Sequence, residues 1–488
     1  MNRLTLGVLM PNWLLLSWQW VSALAIILVD LIATAHVILK KRSNHAAIGW
    51  AGLIWFAPGV GSLLYYFFGI NRIERKAKRL KRRLVRTSVN DKSTHANDAI
   101  HRVPSHLTPL ITLVTRLTGK QLLSSNMICP LETGSDAYAQ MLDAIDNAKH
   151  SIGLSTYIFD NDEVGKRFID ALGRAAKRGV EVAVLIDDIG ARYSWPWTVV
   201  GPLRQVGVKV SRFLPQLLAW VFAYANLRNH RKILVVDGKL GFTGGMNIRR
   251  ACDETSHPKD PVVDLHFRLE GPVVAHLREV FIDDWHFCTR EVLRGDKWTP
   301  KLYACGQVLA RGIHGGPDDD VERLKTVYLG GLALATDSVR IVTPYFLPET
   351  ALTAALNVAA LRGVKVDIVL PARSNLRLVQ WACVGQLFRV LEQGCRVWFA
   401  PPPFDHSKLM IIDRTWVLFG SSNWDPRSLR LNFEFDVECY DSALAAKLDD
   451  HVSKTIEKSK RVTLAQSESR SLPAKLRDGV ARLMTPYL

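Results

Sequence analysis

Hydrophobic and polar positions divide the chain into an N-terminal part with long apolar runs and a longer part with short ones. Residues 13–39 contain a single charged residue, Asp30, and residues 47–69 form a second apolar run after a short polar turn. A helix rises about 1.5 Å per residue and a bilayer core is about 30 Å thick, so the pattern predicts two transmembrane helices, a helical hairpin. A signal peptide is disfavoured because its apolar core is shorter and no second run follows it.

Charges beside these runs predict their orientation. The turn holds Lys40, Lys41 and Arg42, whereas residues 71–86 hold nine Lys or Arg and a single acid, Glu74. Cationic flanks stay in the cytoplasm, so we expect both termini and the bulk of the chain inside. The basic stretch can also bind anionic headgroups. Asp30 is either a functional carboxylate or, as we favour, a partner for the other helix or for another subunit.

Beyond a polar linker the pattern changes to strands and amphipathic helices, and the same order occurs twice. Residues 155–188 and residues 343–372 each read as strand, helix and strand, with Arg-Gly before the last strand. Two β-α-β units predict an α/β fold of two similar halves, each with a mixed, largely parallel sheet flanked by helices.

A second repeat carries polar residues at the mouth of an apparent strand. In "NHRKILVVDGKLGFTGGMN" (229–247) a histidine and a lysine precede an aliphatic run, and "DHSKLMIIDRTWVLFGSSNW" (405–424) has the same form. A lone H-x-K-x-x-x-x-D is weak evidence, because such residues are more often a solvated strand edge. Five positions recur at one offset of 176 residues, which favours function: His230/His406, Lys232/Lys408, Asp237/Asp413, Gly244/Gly420 and Asn247/Asn423.

Composition narrows the class of partner. The formal net charge of +17 in 488 residues points to an anionic partner, either nucleic acid or an anionic membrane surface. The seven cysteines are scattered without C-x-x-C, which disfavours a zinc site and a disulfide framework.

The duplicated residues suit the chemistry of a phosphate diester. Histidines can attack phosphorus and protonate a leaving group from opposite sides, while lysines and asparagines hold the non-bridging oxygens. No carboxylate cage and no Gly-rich phosphate loop is apparent, so we expect catalysis without a metal or cofactor. Asp264 and Glu434 follow the two motifs in apparent strands, and each is either an orienting partner for a histidine or an ordinary surface acid.

The paired motif, with its trailing G-G-x-N and S-S-N, resembles the phospholipase D superfamily. The likeness to bacterial cardiolipin synthases extends over "GWAGLIWFAPGVGSLLYYFFG", residues 270–285, "GSSNWDPRSLRLNFEF" and the terminal "RLMTPYL". It implies a multi-pass enzyme of the bacterial inner membrane with one active site between two halves. It also implies transfer of a phosphatidyl group from one phosphatidylglycerol to another, which gives cardiolipin and glycerol through a phosphatidyl-histidine.

The resemblance also implies residue roles. His230 attacks and His406 is general acid and base, although the sequence is symmetric on this point. In this resemblance Asp264 and Glu434 orient the histidines, each across the interface between the halves. Asp237 and Asp413, members of the catalytic motif, are expected to brace their own half. Phosphate binding falls to Lys232, Lys408, Asn247, Asn423 and, because the first motif has Gly244-Gly245 where the second has Ser421-Ser422, to Ser422 in the second half alone.

Other members of the superfamily leave alternatives open. A phospholipase D-type hydrolase, a phosphatidyltransferase that uses phosphatidylethanolamine and a membrane-tethered nuclease share the motif. Two spans and the absence of a basic stripe with interleaved aromatic residues favour lipid substrates over nucleic acid. Residues 189–228 are rich in aromatic and aliphatic residues and either enter the membrane interface or cover the core. An inactive scaffold is disfavoured because neither motif is degraded.

These features predict four regions. They are a two-helix membrane anchor (1–72), a basic juxtamembrane linker (73–120), a first half with the motif His230–Asp237 (121–305) and a second half with the motif His406–Asp413 (306–488).

Overall fold

A computed structural model of the chain describes residues 12–40, 44–69, 97–215, 227–316 and 322–485. They fall into two compact units, one formed by residues 12–40 and 44–69 and one by all the others. The basic stretch 71–86, residues 216–226 of the aromatic segment and the last three residues of "RLMTPYL" lie outside the described residues.

The N-terminal unit contains one helix that is long and apolar enough to cross a membrane. Helix α1 is Asn12–Lys40, and its segment Trp18–Lys40 has a mean hydropathy of 2.3. The second apolar run folds as three short pieces: α2 (Asn44–Phe56), α3 (Val60–Leu64) and a π-helical turn (Tyr65–Gly69). The prediction of a second long helix is therefore not met within the described residues.

The break after α2 has a local cause. Pro58 disfavours a helical conformation at the preceding residue, and Gly59 has a φ of +75°, which residues with a Cβ rarely adopt. The carboxylate of Asp30 accepts hydrogen bonds from the Gly59 N–H at 3.1 Å and from the Ser62 hydroxyl. Asp30 is buried, and it pairs with the start of α3, in agreement with the favoured interpretation.

The second unit is an α/β fold. Its longer helices are α4 (Thr108–Thr118), α5 (Gly134–Asn147), α6 (Glu163–Lys177), α7 (Val200–Gln205), α8 (Val274–Thr289), α9 (Arg323–Leu334), α10 (Thr350–Leu361), α11 (Arg377–Val384), α12 (Phe388–Leu391), α13 (Pro426–Arg430), α14 (Ser442–Glu457), α15 (Leu464–Glu468) and α16 (Leu472–Leu483). Its strands are β1 (Leu123–Leu131), β2 (Ser151–Thr156), β3 (Glu181–Asp187), β4 (Lys209–Phe213), β5 (Ile233–Val236), β6 (Leu240–Gly244), β7 (Val262–Val263), β8 (His266–Glu270), β9 (Val308–Gly315), β10 (Ser338–Val342), β11 (Lys365–Pro371), β12 (Arg396–Ala400), β13 (Phe404–Asp405), β14 (Leu409–Ile412), β15 (Trp416–Gly420), β16 (Glu434–Tyr440) and β17 (Lys460–Val462).

Within the described residues, fifteen strands form one sheet in the order β17-β12-β11-β10-β14-β15-β16-β9-β1-β8-β6-β5-β2-β3-β4. Its parallel neighbours are β2 with β3, β3 with β4, β10 with β11 and β11 with β12. All its other neighbours are antiparallel, so the prediction of a largely parallel sheet is wrong, although the sheet is mixed and flanked by helices.

Tight turns inside the two motifs explain two of the antiparallel pairs, β5 with β6 and β14 with β15. Asp237 and Gly238 have φ values of +50° and +61° and join β5 to β6; Asp413 and Arg414, at +50° and +48°, join β14 to β15. Two consecutive positive φ values are typical of the hairpin turn whose twist matches that of paired strands. A connection of this length can join only antiparallel neighbours, whereas parallel ones need a crossover helix.

The predicted order strand, helix, strand is found twice, as β2-α6-β3 and β10-α10-β11. The first strand of each unit lies earlier than predicted, because β2 ends at Thr156 and β10 ends at Val342. Helix α6 begins after Asp162, whose carboxylate accepts the Gly165 N–H at 2.9 Å. Helices α6 and α10 each end at an Arg-Gly pair, and the glycines, Gly179 and Gly363, have φ values of +87° and +93°. Only glycine adopts this conformation without strain, which explains the repeated Arg-Gly.

The apolar core has three parts. One lies under α5 and α6, and one under α4, α9, α10 and α11. The third joins residues of α8 and α14 with strands from both sides of the β1–β9 pair. There the rings of Phe267 and Phe419 stack with centroids 3.5 Å apart. This shared core holds the strands that carry the two motifs next to one another.

Candidate active site

Each motif histidine lies just before a buried strand. Its backbone N–H forms a hydrogen bond to a residue from the part of the chain that carries the other motif. His230 precedes β5, and its N–H donates to the carbonyl of Phe433 at 2.9 Å. His406 follows β13, which pairs with β7, and its N–H donates to the carbonyl of Val263 at 2.7 Å. Both acceptors directly precede a carboxylate in the sequence, so these bonds bring each histidine to a distant acid.

The His230 imidazole has two acceptors at Nδ1. Glu434 Oε2 lies 3.0 Å from this nitrogen, and so does the carbonyl oxygen of Ser421. Glu434 is itself fixed by the Ser421 hydroxyl and by the Asn432 amide, which donates to Oε1 at 3.0 Å. The rings of Tyr157 and His230 meet edge to face at 5.1 Å. Both ring and carboxylate are therefore held in one orientation.

The His406 imidazole has a different pair of neighbours at Nδ1. Asp264 Oδ2 lies 2.7 Å away, and the Lys408 ammonium nitrogen lies 3.0 Å away. Tyr345 contacts this ring edge to face at 6.2 Å, as Tyr157 does at His230. The two histidine environments therefore correspond in their carboxylates and tyrosines but differ in the second Nδ1 neighbour.

Both motif lysines are buried beside the histidines. Lys232 Nζ donates to the His230 carbonyl at 2.5 Å, and Lys408 Nζ donates to the His406 carbonyl. Neither ammonium group lies in the wall of the cavity described next. The lysines therefore put positive charge directly behind the two rings.

One open cavity brings the two motifs together. Among the predicted site residues, His230, Asn247, His406 and Asn423 line it. The side chains that complete the wall include tyrosines and arginines from both sides of the sheet, namely Tyr157, Tyr193, Tyr345, Arg228, Arg249 and Arg427. A cavity with this many cationic donors suits an anionic ligand.

The predicted phosphate-binding amides are held differently in the two motifs. Asn247 Oδ1 accepts the Ile158 N–H at 3.1 Å, so its NH₂ group is the end that remains for a ligand. Asn423 donates to Ser428 Oγ at 3.2 Å. Ser422 does not line the large cavity; its N–H donates to Asp436 at 3.1 Å, and it faces a small separate cavity.

Asp237 and Asp413 lie at the far ends of β5 and β14 and do not line the cavity. Asp237 accepts the N–H groups of Lys149, His150 and Ser151 at 2.7–3.2 Å, where β2 begins. Asp413 does the same where β10 begins, and its partners are the N–H groups of residues 336–338, the Thr336 hydroxyl and His106. These carboxylates therefore satisfy the backbone N–H groups at the starts of β2 and β10.

Burial dominates the electrostatics of the site. It raises the pKa of Asp264 and the pKa of Glu434 to about 7, although the motif lysines oppose the shift. It lowers the pKa of Lys232 to about 7 and that of Lys408 below its usual range. The pKa of each histidine is well below its usual value because of burial and then of the lysines. An anion entering the cavity would stabilise every cation beside it.

Several residues of the site are absent from the sequence prediction. Tyr157 and Tyr345 occupy corresponding places in "STYIF" and "TPYFL", so the strand-helix repeat contained a signal for them. Ser421 and Asn432 were not distinguishable from neighbouring polar residues, because their role is to contact Glu434. Within the described ranges, no group of three or more His, Cys, Asp or Glu side chains forms a potential metal site.

Family comparisons match most of the chain. A family model described as "Cardiolipin synthase, PLD-like domain" matches residues 141–285 and 328–456, and each match contains one motif. A second, described as "Phospholipase_D-nuclease N-terminal", matches residues 28–69, which include the C-terminal part of α1 and all of α2 and α3.

Individual relatives match from end to end. Cardiolipin synthase A of Pseudomonas fluorescens is 32% identical and covers 94% of this chain and 96% of its own length. The major cardiolipin synthase ClsA of Bacillus subtilis is 30% identical, with coverage of 96% and 98%. Among solved structures, a phosphatidylserine synthase of Haemophilus influenzae is 16% identical and covers 78% of this chain with a TM-score of 0.62, which indicates a common fold.

Proposed function

Because this chain belongs to the family of cardiolipin synthases with phospholipase D-like domains, we propose that it joins two phosphatidylglycerol molecules into cardiolipin and releases glycerol. The prediction of this family from the duplicated motif is confirmed. The observation that carries the proposal is a single cavity that both motif histidines line, each bonded to a carboxylate from the other side of the sheet.

Two similar halves form this site in our proposal, residues 121–305 and 306–488. Outward from β1 the order is β8, β6, β5, β2, β3 and β4; outward from β9 it is β16, β15, β14, β10, β11 and β12. The separate family matches to residues 141–285 and 328–456 support the division.

The N-terminal residues 1–72 act as the membrane anchor. The predicted linker, 73–120, extends too far because α4 (Thr108–Thr118) packs in the core of the second unit, so we assign the linker to residues before Asn97. Helix α1 supplies one span, and the broken run of α2 and α3, tied to α1 by Asp30, supplies the second. The nine basic residues of 71–86 place the catalytic unit on the cytoplasmic side of a bacterial inner membrane.

The contacts at Nδ1 support His230 as the nucleophile. A backbone carbonyl cannot donate a proton, so the Ser421 oxygen 3.0 Å from Nδ1 requires a hydrogen on that nitrogen. Glu434 accepts from the same side and stabilises this tautomer. The Nε2 atom then carries the lone pair that attacks phosphorus. At His406 the Asp264 carboxylate favours the same tautomer, but the Lys408 ammonium 3.0 Å from Nδ1 is a donor that competes with a hydrogen on this nitrogen.

The reaction then proceeds in two displacements. His230 Nε2 forms a bond to phosphorus while the bond from phosphorus to the glycerol oxygen breaks, and His406 protonates that oxygen. The hydroxyl of a second phosphatidylglycerol next attacks phosphorus, His406 takes its proton, and the bond to His230 breaks. Glu434 and Asp264 stabilise the imidazolium forms.

Charge next to the phosphate comes from Lys232 and Lys408, and hydrogen bonds come from the amides of Asn247 and Asn423. The lysines lie behind the rings, so they act on the transition state mainly through their charge. Ser422 is not assigned to phosphate here, because it faces away from the large cavity. The substrates are phospholipids in the bilayer, and no step requires a cofactor.

Purified full-length protein incubated with labelled phosphatidylglycerol, with and without phosphatidylethanolamine, tests the proposal directly. Cardiolipin with an equal amount of released glycerol supports it. Phosphatidic acid as the sole product would indicate a hydrolase, glycerol release that depends on phosphatidylethanolamine would indicate that lipid as acceptor, and no lipid turnover would refute the assignment.

A further inference from the structure

The C-terminal helix α16 presents an apolar stripe that no described residue covers. Leu472, Leu476, Val480 and Leu483 are spaced by four, four and three residues, which puts them on one face, and all four are highly exposed. The opposite face carries Ala481 and Asp478, both buried against the rest of the unit. The helix therefore packs against the second unit through its buried face, and the exposed stripe on the other face is available to a partner.

Cations flank this stripe on both sides. At 100° per residue, Lys475 and Arg482 lie along one edge of the stripe and Arg477 along the other. The carboxylate of the helix, Asp478, is buried and is paired with Arg470 and Arg477. An exposed leucine stripe between basic residues is the pattern of helices that lie in the headgroup region of anionic membranes.

The packing of α16 connects the stripe to the proposed active site. Arg477 stacks on Trp381 of α11 at 4.6 Å, and Gly385 at the end of α11 approaches Asp478. Leu378 lies three residues before Trp381 and is exposed, so it extends this face of α11 away from α16. Leu376, which is also exposed, lines the cavity. Apolar surface thus continues from α16 to the rim of the cavity.

A second apolar patch lies on the other side of the rim. Tyr193 lines the cavity, and Trp195 and Trp197, in the same loop, are 76% and 77% exposed. These residues belong to the aromatic segment 189–228. Val199, Leu203 and Phe213 of the same segment are buried in the core, so the segment contributes to the core and also exposes aromatic residues in this loop. Tryptophan is enriched where apolar and aqueous phases meet, so the loop fits the same partner as α16.

We infer that α16 and the Trp195–Trp197 loop dock the cavity rim onto an anionic phospholipid surface, so that lipid reaches the two histidines from the bilayer. The inference rests on the proposed function, because it takes the cavity as a phospholipid site. Charge decides the occupant, since the exposed charges of α16 are cationic and the proposed substrate is an anionic lipid. This contact is additional to the N-terminal anchor.

Full-length protein reconstituted in nanodiscs tests the contact without requiring turnover. Hydrogen exchange of residues 472–485 and 193–199 is measured in discs of phosphatidylcholine alone and in discs that also contain phosphatidylglycerol. The anchor is present in both, so slower exchange in the anionic discs reports the additional contact. Equal exchange in the two discs would overturn the inference, whether or not the protein makes cardiolipin.

Substitutions in the apolar stripe of α16 test whether the stripe causes the slower hydrogen exchange in anionic discs. Leu476 and Val480 are 61% and 63% exposed, so L476D/V480D leaves the buried face intact. We expect this variant to lose the difference between the discs and several-fold of the turnover of phosphatidylglycerol in vesicles. The matched control is V358D/L361D, two similarly exposed apolar positions on α10, and equal losses in both variants would refute the stripe.

Two further measurements keep the result interpretable. Circular dichroism checks folding, and W195S/W197S tests the opposite side of the rim if L476D/V480D does not fold. Hydrogen exchange of residues 472–485 is also measured in detergent at several protein concentrations. Slower exchange at higher concentration would indicate that the stripe binds a second copy of this chain and would overturn the inference.

Discussion

Nδ1 of His230 lies 3.0 Å from Oε2 of Glu434, a residue 204 positions further along the chain. Nδ1 of His406 lies 2.7 Å from Oδ2 of Asp264, which is 142 positions earlier. Each proposed reacting ring is therefore oriented by a carboxylate from the part of the chain that carries the other motif, so neither motif alone fixes the protonation state of its histidine.

Replacing Glu434 by Gln keeps the shape of the side chain and removes its charge. Without the carboxylate the imidazolium that forms in the transition state is less stable, so we expect kcat to fall about 100-fold with little change in KM for phosphatidylglycerol. Steady-state kinetics in mixed micelles measures both. Ser421→Ala, which removes a donor to Glu434 but not the charge, is the matched control. A similar fall in both variants would point to lost packing.

The two histidines can be separated with a phosphatidyl ester of an acidic phenol. Such a leaving group needs no general acid, so His406→Ala should still release phenol in a burst and retain a labelled phosphatidyl-enzyme. His230→Ala should give neither, because the nucleophile is absent. Rapid quench and mass spectrometry of the protein detect the adduct. A burst in His230→Ala and none in His406→Ala would reverse the assignment.

The pH dependence of kcat/KM should be a narrow bell. Burial raises the pKa of Glu434 to about 7, so its charge is lost as the pH falls through 7. Burial lowers the pKa of Lys232 to about 7, so its charge is lost as the pH rises through 7. Rates should therefore decline on both sides of neutrality.

Lys232→Arg identifies the alkaline limb of that bell. A guanidinium does not deprotonate in this range, so the variant should lose the decline above neutrality even if its maximal rate is lower. The control is Arg178→Lys. Arg178 lies at the C-terminal end of α6 and does not line the cavity, so this variant should keep the wild-type pH profile of kcat/KM. An unchanged alkaline limb in Lys232→Arg would exclude Lys232 as its source.

Asp237→Ala tests whether the motif aspartate stabilises the fold or acts on substrate. The side chain accepts three backbone N–H groups, and bonds to charged acceptors contribute about 1.5–3 kcal/mol each. Two of these N–H groups are exposed and can bind water instead, so we expect the free energy of unfolding to fall by only about 2–4 kcal/mol. Thermal denaturation measures this loss. At low temperature the folded fraction should keep most of its kcat, and a loss as deep as that of His230→Ala would contradict the bracing role.

Local signals predicted more of this molecule than global ones. The repeat of His230 and His406 at one offset, the β-α-β units and the Arg-Gly helix ends are short-range patterns, and the structure contains them. The direction of the sheet was mispredicted because the turns at Asp237 and Asp413 were not recognised as hairpins, and because pairs such as β9 with β16 join strands that are distant in sequence. Ser421 and Asn432 could not be found, since their role depends on contacts with Glu434 that form only on folding.

The prediction of a second long helix was wrong for a similar reason. Hydropathy counts apolar residues but does not register that Pro58 and Gly59 break the helix or that Asp30 satisfies the broken end. The contact between the buried Asp30 carboxylate and the start of α3 involves two separate segments. A hydropathy window covers only one segment at a time and cannot detect it.

The crossed pairing of histidines and carboxylates also bears on how such a chain can arise. A polypeptide with one motif holds a histidine but not the acid that orients it, so it can assemble this site only with a second copy of itself. Fusion of two copies makes that encounter permanent and frees the copies to diverge. In this chain the Lys408 ammonium lies beside Nδ1 of His406, whereas the Ser421 carbonyl lies beside Nδ1 of His230, so the two motif histidines no longer have equal surroundings.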